Sequence, residues 1–550
     1  MDTYELKIIS GNEKCFMDEK IGDKKEIKKF SMFSNERLSF QLAYSADTSL
    51  YRRNAVKFKL KIESELKDDI SVCTVEQVPV RMPIYSECKD EWYLRKTPGL
   101  YPDLLLPMNE NDNLIFVKDE LRSLFVQIEN KNGIKPGKYE IFFSVMNEEE
   151  KIAQTSVEID IKEEKLPELD IYHTEWFYTD CIAQYYDCEV WSERHWELIE
   201  NYMRAAVDLG VNLLLTPVFT PPLDTLVGGE RLTTQLVDVY LENGKYTFGY
   251  ERFDRWVKLC KKVGIKYFEI SHFFTQWGAK HSPKVIAKTK DGEKKIFGWE
   301  TEASGEEYSA FLHAFLDDFI PHVKKLGIDK DCLYHISDEP KIDDLENYTK
   351  ARNVVGEQLK DYMIIDALSN YEFYKTGAIR RPIPANNHID DFLQNNVPDL
   401  WVYYCCSQFD DVSNRFMAMP GERTRIIGTQ IYKYDIKGFL HWGFNFYNTR
   451  YSVKPLNPFN DVNGEYFTPA GDCFLVYPTQ DGKTYSSLHA ENFYMALQDY
   501  RALKACEKKL GKEKTVELME GVAGQEITFT NCPHDKDFLY RLREKINGLF

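Results

Sequence analysis

Long apolar runs and dense basic clusters are absent from the sequence, and its opening residues predict no secretory leader. No run approaches the roughly 18 apolar residues of a membrane-spanning helix, so we expect no membrane partner. A net charge of −18 also disfavours nucleic acid as a partner. The opening residues MDTYELKIISGNEKCF have no basic segment followed by an apolar one. A cytoplasmic location is therefore expected.

Paired cysteine motifs are also missing. The 12 cysteines are scattered, and none forms a C-x-x-C pair, which disfavours a zinc ribbon or a redox dithiol. We expect reduced, mostly buried thiols and assign the adjacent Cys405 and Cys406 to the core. No clustered ligand spacing suggests a metal site or an organic cofactor, so none is predicted.

Aromatic residues, by contrast, are plentiful. They make up 14% of the chain, with 34 Tyr, 34 Phe and 9 Trp. Aromatic faces stack on sugar rings in carbohydrate clefts, although a large aromatic core is the simpler explanation of composition alone. A chain of 550 residues is too long for one core, so two or three domains are expected.

The first part of the chain, about residues 1–165, alternates apolar with polar residues in short runs. This pattern, with turn signals between the runs and no helical period, predicts an antiparallel β-sandwich. The acidic, proline-containing stretch EEKLPELD (163–170) reads as the linker that follows it. The runs that carry the prediction are 55–63, 123–129, 138–146 and 155–162.

From residue 170 to 510, apolar strand-like runs alternate with amphipathic helices such as 192–209 and 487–510. Eight near-continuously apolar strands in such alternation predict a (β/α)8 barrel. An open doubly wound sheet is the alternative, but no G-x-G-x-x-G follows the first strand. The predicted strands are 171–177, 211–218, 266–273, 332–338, 362–369, 400–406, 437–444 and 472–478.

A short repeat supports this division into helices and strands. LGVN, VGIK and LGID place Gly210, Gly264 and Gly327 where a helix ends and a strand follows. Glycine suits the left-handed residue of a helix C-cap, and Asp435 in YDIK occupies the same place in a fourth copy.

Two segments fall outside the repeat. A connection of about thirty residues, 274–304, follows the third predicted strand, and loops of this length in compact domains are usually functional or disordered. The final residues, 511–550, read as a small appendage with a strand at QEITFT (525–530) and a closing helix.

The fourth predicted strand ends in LYHISDEP, with Asp338 next to Glu339. Barrel enzymes carry their chemistry at the carboxyl ends of the strands, which makes both acids catalytic candidates. The alternative is that Asp338 caps a helix beginning near Pro340. A cap explains one acid, but it does not explain the second, or His335 and Ser337 before them.

Glycoside hydrolysis usually requires two carboxylates on either side of the bond, which adjacent residues cannot easily supply. A sugar with a 2-acetamido group can instead attack its own anomeric carbon, which leaves the protein to supply an acid and a stabilising carboxylate. Glu339 as acid/base and Asp338 as stabiliser fit this substrate-assisted scheme. Further substrate-binding candidates at strand ends and in the long loop are Glu175, His272, Trp277, Tyr403, Trp442 and Asn445.

Three stretches of the sequence resemble the catalytic domain of glycoside hydrolase family 123. They are HISDEP, KYDIKGFLHWGFNFYN, and GDCFLVYP followed by SSLHAENFYMALQDYRAL. The resemblance spans about residues 170–510, and the N-terminal sandwich fits that family's layout. It implies a β-N-acetylgalactosaminidase that works by substrate-assisted retention, with the family's Asp-Glu pair at Asp338 and Glu339. The chain departs from the family pattern at YDIKG, where a glycine is common, and in its long third loop.

Two other functions stay open at this point. One is a different glycosidase on the same scaffold, with Glu339 as acid and Glu175 or Asp366 as its partner. The other is a non-catalytic carbohydrate-binding barrel. In each case the expected partner is a small oligosaccharide or glycoconjugate, and the oligomeric state is left open.

Overall fold

A computed structural model describes residues 3–47, 55–109 and 111–550. Its first part contains ten strands, and the predicted strands 55–63, 123–129, 138–146 and 155–162 coincide with or overlap four of them. The strands are β1 Thr3–Ser10, β2 Lys29–Phe33, β3 Arg37–Asp47, β4 Ala55–Glu63, β5 Ile70–Val80, β6 Gly99–Pro107, β7 Leu114–Val117, β8 Arg122–Glu129, β9 Gly137–Asn147 and β10 Glu150–Lys162.

These strands form two five-stranded sheets, in the orders β1-β3-β8-β5-β6 and β2-β10-β9-β4-β7. Neighbouring strands are antiparallel, except for the parallel pair β2 and β10. Alternate residues of both sheets point inwards and bury one shared core, which includes Phe40, Phe116 and Phe143. The expected N-terminal antiparallel sheet region is confirmed.

The rest of the chain holds an eight-stranded sheet and two smaller sheets. The strands in chain order are β11 Tyr172–Glu175, β12 Leu213–Thr216, β13 Asp238–Glu242, β14 Lys245–Gly249, β15 Tyr267–Ile270, β16 Val285–Thr289, β17 Gly292–Phe297, β18 Cys332–Tyr334, β19 Met363–Ala367, β20 Arg381–Ile383, β21 Trp401–Tyr403, β22 Gly438–His441, β23 Tyr477–Pro478 and β24 Thr484–Tyr485.

The large sheet is parallel and has the order β20-β19-β18-β15-β12-β11-β22-β21. A parallel bridge between Ala385 and Tyr403 brings its two end strands together. The Tyr403 amide donates to the Pro384 carbonyl at 3.1 Å, and the Asn386 amide donates to the Tyr403 carbonyl at 2.9 Å. The sheet is therefore a nearly closed parallel barrel.

One of the eight predicted barrel strands is wrong. Residues 472–478 do not join the barrel, because Tyr477 and Pro478 pair with β24 in a separate two-stranded ribbon. The sixth barrel strand is β20, whose sequence Arg-Pro-Ile was not recognised because proline and arginine are unusual inside a parallel sheet. Residues 401–403 and 438–441 are consequently the seventh and eighth strands.

At least one helix follows each barrel strand, but α6 and α7 have only four and five residues, so the helical layer is thin beside β19 and β20. Ser192 and Ser487 cap α2 and α10, close to the predicted starts. The helices are α1 Thr179–Tyr185, α2 Glu193–Asp208, α3 Glu251–Val263, α4 Glu306–Lys325, α5 Leu345–Val355, α6 Glu372–Lys375, α7 Asp390–Gln394, α8 Gly421–Arg425, α9 Ile427–Lys433, α10 Leu488–Leu510, α11 Lys512–Ala523 and α12 Phe538–Asn547.

The predicted turn between helix and strand is present four times. Gly210, Gly264, Gly327 and Asp435 have φ values of 86°, 106°, 66° and 53°. Each lies in the left-handed region and ends a helix just before a barrel strand. The repeat in the sequence therefore marks a repeated backbone conformation.

The long connection 274–304 is mostly ordered. It carries the hairpin β16–β17, and β16 pairs with β13 to make a four-stranded sheet beside the barrel. The predicted strand at 525–530 is wrong, because those residues have no regular structure between α11 and α12. No helix within the described ranges is long and apolar enough to cross a membrane.

The closing helix α12 is confirmed and packs between the sandwich and the barrel. The Asn547 side chain donates to the Ser31 carbonyl of β2 at 3.0 Å. Arg543 joins Glu36 at 2.7 Å and Asp499 of α10 at 3.1 Å. The domain limits 1–165, 170–510 and 511–550 stay a prediction.

Candidate active site

Asp338 and Glu339 lie just beyond the carboxyl end of β18. The Glu339 amide donates to the Ala367 carbonyl at 3.0 Å, and the Asp338 carbonyl accepts from the Trp277 amide at 2.8 Å. Glu339 has a φ of 42°, in the left-handed region that few glutamates adopt. The backbone of the acid pair is thus held from two neighbouring segments.

Neither acid caps a helix. The next helical turn, Ile342–Asp344, begins after Lys341, whose amide donates to the carboxylate of Asp344 at 3.3 Å. α5 then begins at Leu345. The capping explanation for Asp338 is therefore wrong, and both carboxyl groups are left for another role.

Both acids line a cavity at the carboxyl ends of the barrel strands. Three carboxyl groups face it, those of Asp224, Asp338 and Glu339. Aromatic rings cover much of the remaining wall, as sugar-binding pockets require. The rings belong to Trp176, Tyr178, Trp277, Tyr403, Trp442 and Phe467.

Five of the eight predicted site residues line this cavity: Asp338, Glu339, Trp277, Tyr403 and Trp442. Trp277 stands at the rim with 38% of its surface exposed. The Trp442 indole is fixed by donation to a carboxylate oxygen of Asp472 at 2.8 Å. The Tyr403 hydroxyl donates to Oε1 of Glu339 at 2.7 Å.

The structure does not bring Glu175, His272 and Asn445 to the cavity wall. Glu175 is fully buried and forms an ion pair with Arg415 at 2.8 Å, so it is not available as a nucleophile. The amide of Asn445 accepts from and donates to the backbone of Tyr178 at 2.8 and 3.1 Å. His272 is buried, with neither ring nitrogen hydrogen-bonded among the described residues.

Asp366, the other carboxylate considered as a partner for Glu339, is also fully buried. It accepts hydrogen bonds from Tyr348 at 2.6 Å and from the Ile336 amide at 3.0 Å. It does not line the cavity. The two partner carboxylates considered from the sequence are thus both committed to the barrel interior.

Sequence reasoning missed several residues of the wall. Cys405 lies in the core as expected and Cys406 packs against it, but both also line the cavity. Asp224 and Gln276 also face it, from loops after β12 and β15. Burial raises the pKa of Asp224 to about 6, against the opposing charge of Arg231. The segment PPLDTL around Asp224 has no periodicity or motif that would have singled it out.

The environment favours retention of a proton by the acid pair. Burial, and then the charge of Glu339, raise the pKa of Asp338 well above its ordinary value, while His335 opposes the shift. Burial raises the pKa of Glu339, and the hydrogen bond from Tyr403 lowers it. Two neighbouring carboxyl groups disfavour each other's ionisation, which favours retention of one proton by the pair.

Replacement of Tyr403 by phenylalanine tests this hydrogen bond. Without the donor, the pKa of Glu339 rises, so the alkaline limb of the pH–rate profile moves to higher pH. We expect the rate to fall by roughly tenfold or more, the usual cost of a lost hydrogen bond to a charged group. A pH profile of kcat/KM for Tyr403→Phe and for Tyr374→Phe, which lies outside the cavity, checks both effects. A shift to lower pH contradicts the assigned donor.

Three side chains beneath the cavity could each offer one ligand atom to a metal ion, and these atoms lie within 4.8 Å of one another. The side chains are those of His272, His335 and Asp366. Such a group has the residue types of a metal site. Both ring nitrogens of His335, however, already contact carboxylates, Glu269 at 2.7 Å and Asp366 at 3.0 Å. As it stands, His335 is hydrogen-bonded to the two carboxylates, and His272 stacks on its ring without joining those hydrogen bonds.

A larger cavity, of about 890 Å³, lies at the opposite end of the barrel. It borders the amino ends of β18, β19 and β20 at Cys332, Met363 and Arg381, beside the short helix α6. It contains none of the predicted site residues, so the smaller cavity that holds the acid pair stays the candidate active site.

The chain resembles a known family and several solved structures. The family model for the glycoside hydrolase 123 catalytic domain matches residues 176–506. A solved family 123 glycoside hydrolase from Clostridium perfringens, studied for glycolipid glycan hydrolysis, superposes with a TM-score of 0.74 at 15% identity. The match covers 99% of this chain and 98% of that one, and it shows a shared fold.

Other solved structures are much less similar. A family 39 glycoside hydrolase from Bacteroides cellulosilyticus WH2 has a TM-score of 0.32 at 10% identity, with 80% of each chain covered. No curated protein sequence matched the chain. The family model spans more than half of the sequence and contains the acid pair, the cavity tryptophans and every barrel strand after β11. The protein belongs to glycoside hydrolase family 123.

Proposed function

We propose that the protein is a retaining exo-glycosidase that removes terminal β-linked N-acetylhexosamine, with N-acetylgalactosamine as the first candidate. The observation that carries the proposal is the adjacent pair Asp338 and Glu339 in an aromatic-walled cavity. The pair's position at the carboxyl ends of the strands also supports assigning the barrel to the (β/α)8 class of enzymes.

In the first step, the acetamido oxygen of the bound sugar attacks the anomeric carbon. Glu339 gives its proton to the glycosidic oxygen as the bond to the leaving group breaks. The product is a cyclic oxazolinium ion, whose positive charge and N–H face the carboxylate of Asp338. In the second step, Glu339 takes a proton from water as the water oxygen attacks the anomeric carbon from the face that the leaving group vacated. The bond between the anomeric carbon and the acetamido oxygen breaks, which restores the acetamido group and gives the sugar with retained configuration.

Substrate binding itself places the proton on the correct acid. Free in the cavity, Asp338 and Glu339 share a proton, and burial acts on both. An acetamido N–H is a donor and needs an ionised acceptor. Once it binds Asp338, the proton belongs on Glu339, where the leaving group needs it.

The aromatic wall suits a sugar ring. Trp442 is half-buried, and its indole N–H is already satisfied by Asp472, so its face is free to stack on the apolar face of the sugar. Trp277 at the rim is exposed enough to contact the next sugar or the aglycone. Glycolipid glycans, on which the Clostridium perfringens relative was studied, are one source of such terminal sugars.

The proposal is tested with four nitrophenyl glycosides: β-GalNAc, β-GlcNAc, β-galactoside and β-glucoside. We expect release from the acetamido sugars and rates at least about 1,000-fold lower from the 2-hydroxy sugars, because these lack the internal nucleophile. Initial rates with purified protein give the comparison. Comparable release from galactoside and GalNAc contradicts the substrate-assisted mechanism.

One further observation favours a second candidate. Asp224 faces the same cavity as Glu339 and is the remaining carboxyl group on its wall in the described residues. A conventional glycosidase would use Asp224 as nucleophile or base. That function requires release from the 2-hydroxy sugars and its loss in Asp224→Asn, so the same panel separates the two candidates.

A further inference from the structure

His335, the first residue of HISDEP, lies between two buried carboxylates. Its Nε2 is 2.7 Å from Oε1 of Glu269, and its Nδ1 is 3.0 Å from Oδ1 of Asp366. All three side chains are fully buried. The substrate-assisted mechanism does not use this histidine, although it lies only three residues before Asp338.

The hydrogen bonds around the two carboxylates indicate the charge of the histidine. Glu269 also accepts from the Trp176 indole at 2.8 Å and from the Thr174 hydroxyl. Asp366 also accepts from the Tyr348 hydroxyl at 2.6 Å and from the Ile336 amide.

Each carboxylate accepts two hydrogen bonds besides its contact with His335, which favours the ionised form, since a protonated carboxyl group gives up part of its accepting capacity. Both ring nitrogens of His335 must then donate, which makes the ring an imidazolium. Burial lowers the pKa of His335, but the hydrogen bonds to Asp366 and Glu269 raise it more, to about 9. The geometry and the electrostatics thus agree on a cation at neutral pH.

This cation acts on one member of the acid pair. Glu339, Asp366 and Asp224 all favour the neutral form of Asp338, and His335 opposes them. For Glu339, burial raises the pKa and the hydrogen bond from the Tyr403 hydroxyl lowers it. The ionisable groups near His335 and Asp338 come from several elements. They are Glu269 on β15, His272 after it, Asp366 on β19, Tyr348 on α5, Tyr178 after β11 and Asp224 after β12.

We propose that His335 is a positioning residue whose positive charge opposes protonation of Asp338, so that Asp338 becomes the carboxylate that receives the acetamido N–H when substrate binds, and the shared proton goes to Glu339. This inference rests on the proposed function. It explains why a histidine precedes the acid pair in the motif. It also gives the buried cluster of Glu269, His335 and Asp366 a role in the reaction.

The charge state can be measured without any activity assay. In protein labelled with ¹⁵N-histidine, the His335 ring is identified by its absence from the spectrum of His335→Gln. We expect both of its nitrogens to carry protons from pH 6 to pH 8. A neutral ring at pH 7 overturns the inference, whatever the enzyme's substrate proves to be.

The effect on catalysis is measured with His335→Gln, which keeps a polar side chain but removes the charge. Because the pKa of Asp338 rises when the cation is lost, the acid limb of the kcat/KM profile on β-GalNAc moves to higher pH. We expect kcat near pH 6 to fall by about 10- to 100-fold with little change in KM, as for a lost interaction with a charged group.

His388→Gln, an exposed histidine, is the matched control. If His335→Gln does not fold, His335→Asn gives the same test, because it also removes the charge and keeps a polar amide. A loss of rate without movement of the acid limb indicates a purely structural histidine and overturns the inference. A protein that is silent on every glycoside, with a protonated His335 ring, rejects the proposed function rather than the cation.

Discussion

Replacement of Glu339 by glutamine is expected to remove nearly all activity on natural substrates. The amide cannot protonate the glycosidic oxygen, and general acid catalysis contributes about 100- to 10,000-fold to such reactions. A sugar leaving group needs the proton most, so we expect a loss near the upper end, about 10,000-fold, on an oligosaccharide. Nitrophenolate leaves more easily, and the loss there should be nearer about 100-fold.

The measurement is kcat/KM for both kinds of substrate, with circular dichroism and Tm as checks on folding. Glu346→Gln is the matched control, because that glutamate lies on α5 with 81% of its side chain exposed and pairs with Lys350 at the surface. It should leave both rates unchanged. Small and equal losses of kcat/KM with both kinds of substrate would contradict the role of Glu339 as the general acid.

Replacement of Asp338 by asparagine is expected to lower activity and raise stability together. The neutral amide cannot stabilise the charge of the oxazolinium ion, and loss of one such electrostatic contact costs about 100- to 1,000-fold in kcat. In the folded protein, however, burial and the neighbouring Glu339 disfavour the Asp338 carboxylate. Asparagine removes that unfavourable charge.

The sign of the stability effect follows from proton linkage. The pKa of Asp338 is raised in the folded protein, so between the unfolded and folded values the native state binds more protons than the unfolded state. The wild-type protein therefore loses stability as the pH rises through this interval, and Asp338→Asn does not. We expect the variant to melt at a higher temperature than wild type, with a gap that is larger at pH 8 than at pH 5.

Thermal melting at both pH values, alongside kcat on β-GalNAc, checks the second prediction. Asp343→Asn, an exposed aspartate in the same segment, should change neither quantity. A variant that keeps wild-type activity, or that melts below wild type at pH 8, contradicts the role assigned to Asp338.

Patterns among residues that are close together in the sequence were enough to predict the overall architecture. The sandwich strands follow from two-residue alternation, and three glycines with Asp435 mark the turns that lead into barrel strands. The acid pair could be found because two carboxylates at the end of an apolar run have no role in packing. Each of these features depends on residues close together in the chain.

The errors concern features set by distant residues. Glu175 has the position of a strand-end acid, but its partner Arg415 lies 240 positions away and holds it in the interior. Residues 472–478 are apolar because they are buried, and burial alone does not place a segment in the barrel. Arg381 and Pro382 form a barrel strand through pairing with β19, which their own propensities do not predict.

The left-handed backbone at Glu339 has a consequence for how two neighbouring acids share one cavity. In an extended strand, successive side chains point to opposite faces, so only one of the two carboxylates would reach the substrate. The φ of 42° interrupts that alternation, and both side chains reach the cavity wall. Glycine would adopt this conformation with less strain, at the expense of the carboxylate. Backbone conformation and chemistry therefore favour different residues at position 339, and the fold must stabilise a conformation that is locally unfavourable.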